Sequence, residues 1–81
     1  MKTQYDHLIR TLANNIRTFR REAGYSQEQF ALEADVDRTF VSQIERMVAN
    51  PSLRTIARLA DVLGISVNTL LQESTPRQNS R

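Results

Sequence analysis

Eighty-one residues, 40% of them apolar and none of them cysteine, are expected to form one small domain with no room for a separate sensor or catalytic domain, and they offer neither a disulfide framework nor a thiolate metal site. The formal net charge of +2 is mild, and its excess lies in residues 37–81, which hold six bases and four acids against five of each in residues 1–36. No stretch has the apolar length of a signal peptide or a membrane span, so a cytoplasmic location is expected, and a chain this short commonly gains stability from pairing with a second copy.

From the amino end, Ile9, Leu12, Ala13, Ile16, Phe19 and Ala23 recur at helical spacing and predict a helix from about Asp6 to Ala23. Gly24 follows as its left-handed cap. Tyr25 then staples the junction before Ser26, which forms an S-x-x-Q capping box with Gln29 and starts a second helix at Gln27. Phe30, Ala31 and Ala34 fall on the inner face of that helix. Asp35, Val36 and Asp37 break the pattern, and Asp37 is a suitable N-cap for a third helix beginning at Arg38, with Val41 and Ile44 inward. Phe40, beside the cap, either closes the core edge or turns outward, whereas Phe19 and Phe30 are assigned to the core by their register.

The segment Met47 to Asn50 reads as a loop closed by Pro51, which takes an early position in a fourth helix. Leu53, Ile56, Ala57, Leu59, Ala60 and Leu63 point inward there, and Gly64 ends it. Ser66 caps a last short helix containing Val67, Leu70 and Leu71. From Ser74 onward STPRQNSR has no apolar residue, so residues 1–73 are expected to form the domain and residues 74–81 a flexible tail. Five helices without a strand pattern or internal repeat predict an all-α bundle.

Ser26 to Arg46 thus reads as two short helices joined by a three-residue turn, a helix-turn-helix. On its second helix Arg38, Thr39, Ser42, Gln43 and Arg46 are left pointing outward or sideways, and Arg and Gln can form paired hydrogen bonds with guanine and adenine in a major groove. Ten of the eleven basic residues are Arg, which favours forked bonding to phosphate and guanine. Catalysis is poorly supplied. There is one histidine, His7, without a recognisable partner, and no glycine-rich phosphate loop or metal-spaced acid pair, so no enzyme activity, cofactor or metal is expected.

Arg20, Gly24, Ser26-Gln27, the SQIER of Ser42 to Arg46, the NPS of Asn50 to Ser52 and the LGIS of Leu63 to Ser66 resemble the small helix-turn-helix domains of the lambda and 434 repressor and Cro type, whose docking geometry is a standard reference case. The resemblance covers roughly residues 8–73, and the chain's size is similar to that of stand-alone controller proteins of restriction-modification systems. It implies a five-helix lambda-repressor-like domain. Gln27 would bond a phosphate; Arg38, Thr39 and Gln43 would read bases; Phe40, Ser42, Arg46 and Asn50 would lie against the groove wall or backbone. Arg20 and Glu45 would form a structural ion pair. Two positions depart from the family pattern: Asp35 in the turn and Met47 after the reading helix stand where members usually carry Gly.

One reading helix covers only a few base pairs, so a homodimer on a palindromic operator is expected. The last helix supplies its surface, with Leu70 kept for the core, Ile65, Val67 and Leu71 shared across the two-fold, and Asn68 and Thr69 at the rim. The implied function is an autoregulatory transcription regulator, either a restriction-modification controller or a small phage-type repressor, with RNA polymerase as a further partner. The alternative is an antitoxin-type protein that also binds a toxin, for which the apolar loop Met47 to Ala49 leaves room.

Overall fold

Five helices carry the regular structure of residues 3–73, the part of the chain that the computed structural model describes: α1 (Gln4–Glu22), α2 (Gln27–Ala34), α3 (Arg38–Glu45), α4 (Leu53–Leu63) and α5 (Val67–Leu71). The tail expected over residues 74–81 lies outside the described residues. α1 starts at Gln4, ahead of the apolar repeat, because Thr3 caps it reciprocally with Asp6. The Thr3 hydroxyl accepts the Asp6 N–H at 3.1 Å and the Asp6 carboxylate accepts the Thr3 N–H at 3.2 Å. At the other end Ala23 is the exposed C-cap and not an inward residue. Gly24, at φ +83°, lets the Tyr25 N–H reach back to the Arg20 carbonyl at 3.0 Å.

The reciprocal box of Ser26 and Gln29 opens α2, and Tyr25 packs on Phe30 with ring centroids 5.9 Å apart, a hydrophobic staple that fixes the entry angle of the chain. Asp35 ends the helix at φ +59°. Asp37 occupies the N-cap of α3, but its carboxylate makes no capping hydrogen bond; the residue marks the boundary through its extended backbone alone. Pro51 is buried and lies before α4, not within it. The N-cap is Ser52, whose hydroxyl accepts the Thr55 N–H at 3.1 Å. Leu53 is consequently 70% exposed, contrary to its expected inward position, because α4 enters the core only one turn later, at Ile56. Ser66 caps α5 through the Thr69 N–H.

The core joins Leu12 and Ile16 of α1, Phe30, Ala31 and Ala34 of α2, Val41 and Ile44 of α3, Ile56, Leu59 and Ala60 of α4, and Leu70 of α5. Burying a Leu, Val or Phe side chain completely contributes about 1.5–3 kcal/mol, so Phe30, Val41, Leu59 and Leu70 are its energetic centre. Phe19 is half-buried at the core's margin, and Ile9, Ala57 and Leu63 are also half-buried. α1 packs against α3 and α5, while α2 packs against α3 and α4.

The seam between α1 and α5 is closed by a buried polar residue, Asn15. Its amide nitrogen lies 2.8 Å from the Leu70 carbonyl and 2.9 Å from the Gln72 carbonyl, with the Thr69 carbonyl farther off at 3.3 Å. An amide offers two hydrogens, so the two shorter bonds dominate. They satisfy carbonyls that a five-residue helix cannot pair internally.

Candidate nucleic-acid interface

The apolar spacing of α3 determines what that helix presents. With Val41, Ile44 and Glu45 buried, Arg38, Thr39 and Arg46 are exposed, while Phe40, Ser42 and Gln43 are half-buried at the edges of the outer face. Residues four apart are neighbours on a helix, so Arg38 stands beside Ser42 and Thr39 beside Gln43. The Arg46 guanidinium donates to the Ser42 hydroxyl at 3.2 Å. Phe40 packs its inner side against the core. Asn50 is exposed and lies with Pro51 along an apolar cleft whose other walls include Tyr5, Leu8, Ile56 and Leu71.

Behind this face lies a buried charge network. The Glu45 carboxylate, 3% exposed, takes the Arg20 guanidinium through two bonds of 2.6 and 3.1 Å. Arg20 also donates to the Tyr25 carbonyl at 2.8 Å, tying the α1–α2 junction into the same centre. The two-bond fork gives geometric definition that a Lys point charge would lack. Gln27, expected from the resemblance to face phosphate, turns its amide Nε2 to Glu45 at 3.1 Å, so one of its two hydrogens is held inside the protein. Arg17 completes the group, with its Nε 3.7 Å from the same carboxylate.

Arg17 and Asn15 are the two residues that sequence reasoning missed. Arg17 lies three positions before Arg20 on the same face of α1, and that spacing was the available signal. Asn15, with Thr11 four residues before it, is a buried polar group bordering the Leu12 and Ile16 stripe, a pattern that asks for a specific partner.

Of the proposed pairing surface, Ile65, Val67, Thr69 and Leu71 are half-buried, Asn68 is exposed and Leu70 is fully enclosed. No helix among the described residues is long and apolar enough to cross a membrane.

A family model described as helix-turn-helix matches residues 16–70, from the middle of α1 into α5. The chain is 43% identical over 60 residues to a hypothetical transcription factor of Neisseria meningitidis, covering 74% of this chain and 57% of that one. It is 38% identical over 63 residues to the transcriptional regulator SinR of Bacillus subtilis, covering 76% and 57%. The chain therefore spans somewhat over half the length of these two relatives. The control protein C.SmaI of Serratia marcescens is 40% identical over 60 residues, covering 74% and 71%.

Among solved structures, the Neisseria transcription factor superposes with a TM-score of 0.81 at 38% identity, covering 90% of this chain and 83% of that one. SinR in complex with DNA superposes with a TM-score of 0.73 at 37% identity, covering 75% and 98%. The matched span contains the Ser26 capping box, the outward polar face of α3 and the Arg20–Glu45 pair, and this chain belongs to the helix-turn-helix family.

Proposed function

We propose that this protein is a sequence-specific DNA-binding transcriptional regulator that acts as a homodimer, each copy placing α3 in the major groove of one half of a palindromic operator. The observation that carries this reading is the polar outer face of α3, held by its own buried carboxylate to α1 and α2. Arg38, Thr39 and Gln43 read base edges. Gln27, with its remaining amide hydrogen, and Phe40, Ser42, Arg46 and Asn50 meet the backbone or groove wall, because phosphate contacts fix register while base contacts select. Residues 3–73 act as one reading-and-pairing unit, with Ile65, Val67, Asn68, Thr69 and Leu71 at the two-fold. The protein's role is binding in the cytoplasm, not catalysis.

The relatives support a controller or repressor role. Besides the regulators above, they include control protein C.BamHI of Bacillus amyloliquefaciens, at 39% identity over 54 residues, and the immunity repressor of Bacillus phage phi105, at 37% over 65. Autoregulation follows from such a role, with RNA polymerase as a neighbour on the promoter. Selection of bound duplexes from a random DNA library, followed by footprinting upstream of the protein's own gene, tests the proposal. A palindrome with half-sites about one helical turn (roughly 34 Å) apart is expected; recovery of unenriched sequence would overturn it.

A further inference from the structure

The last four carbonyls of α3 can all be accounted for. The Ser42 carbonyl accepts the Arg46 N–H at 3.0 Å, the Gln43 carbonyl the Val48 N–H at 2.9 Å and the Ile44 carbonyl the Met47 N–H at 3.0 Å. The fourth, on Glu45, receives the Arg17 guanidinium from α1 at 2.7 Å. This bond places a cation at the negative pole of the helix, where it is favourable.

Arg17 and Arg20 therefore grip one residue of α3 at two points. Arg20 holds the Glu45 side chain, and Arg17 holds the Glu45 backbone while its Nε lies 3.7 Å from the same carboxylate. A carboxylate link alone lets a helix swivel about the flexible side chain, whereas a second bond to the main chain fixes its rotation and axial position. We propose that Arg17 is a positioning residue for sequence reading: it sets the register of α3 against the rest of the domain, and hence of Arg38, Thr39 and Gln43 against the bases, without itself touching DNA. The assignment rests on the DNA-reading function proposed above. It separates the half-exposed Arg17 from an alternative use as a phosphate contact, which its position on α1 would otherwise invite.

The test compares the full chain with Arg17→Ala and Arg17→Lys, at a temperature well below melting, on the operator selected from the random library and on random duplex. Loss of the charge-assisted hydrogen bond to the Glu45 carbonyl, together with the longer ion pair to its carboxylate, predicts about a tenfold fall in the operator-to-random ratio for Arg17→Ala. Affinity for random DNA and the salt dependence should stay unchanged. Arg17→Lys, which still offers an N–H donor to the carbonyl, should recover most of the ratio. Amide hydrogen exchange without DNA should quicken at Arg46, Met47 and Val48 in Arg17→Ala, because the helix end loses its backbone tie to α1 and keeps only the Arg20 bond to the Glu45 side chain.

Equal loss on both DNAs with a salt slope shallower by about one would make Arg17 a phosphate contact and overturn the proposal. An unchanged ratio, or unchanged exchange at the end of α3, would overturn it too. If the parent chain itself selects no operator, the DNA-reading function falls and the positioning role falls with it; an unchanged ratio in a chain that does select one removes the Arg17 assignment alone.

Discussion

The side chains of Arg38 and Gln43 stand on the outer face of α3 and make none of the side-chain hydrogen bonds or ion pairs that tie the helices of the described residues together. Arg38→Ala and Gln43→Ala should each leave the melting temperature nearly unchanged and cost about 1–3 kcal/mol of discrimination, read as competition between selected operator and random duplex. Parallel loss on both DNAs would contradict base reading. Met47 is a residue where the backbone, not the side chain, sets the constraint. It sits at φ +64°, just past the C-cap of α3, in the left-handed region that suits Gly, and its side chain is 47% exposed. Met47→Gly should therefore stabilise the fold by about 1–2 kcal/mol, seen as a melting temperature higher by roughly 4–8 °C per kcal/mol. Asp35 has a similar φ of +59°, but aspartate tolerates this conformation better, so Asp35→Gly should give a smaller gain. Equal melting temperatures for Met47→Gly and the parent would show that Met47 stores no strain.

At the scale of elements, α5 is too short to persist by itself, since helix nucleation is costly and five residues close few internal bonds. It is held by Leu70 in the core and by Asn15 across its carboxyl end. Asn15→Ala removes both short bonds and leaves the buried Leu70 carbonyl without its donor, at a cost of about 1–3 kcal/mol. The expected outcome is a lower melting temperature with faster amide exchange in residues 67–72, while exchange in α2 and α3 changes little. Uniform acceleration through all five helices would mean that α5 unfolds only with the whole domain. The polar residue on α1 thus links packing to function, because the presentation of the proposed pairing surface depends on it.

Half-sites one helical turn apart lie roughly 34 Å from centre to centre, so in the proposed homodimer the two α3 helices would face the same side of the duplex at that spacing. Leu71, half-buried on α5 with one side against the core, is the apolar residue of the proposed pairing surface at which the dimer is tested. Leu71→Glu should give a folded monomer by sedimentation equilibrium, with its circular dichroism retained and its affinity for the palindrome reduced to that for a single half-site. A Leu71→Glu protein that remains dimeric would move the two-fold away from α5.

The five helices, the joint between α2 and α3 and the outward polar set of α3 are legible in the sequence, because capping residues and apolar periodicity act over three or four positions along the chain. The sequence placed Leu53 and Ala23 inward because periodicity reports the phase of a helix and not where that helix enters or leaves the core. The turn of the Gln27 amide toward Glu45, the closure of α5 by Asn15 of α1 and the reach of Arg17 to the last carbonyl of α3 follow from how the helices pack. Each of these bonds joins residues 18 to 57 positions apart. No local pattern specifies such partners: a polar side chain has many reachable acceptors in an unfolded chain, and packing of the helices around the core leaves it only the few brought within reach.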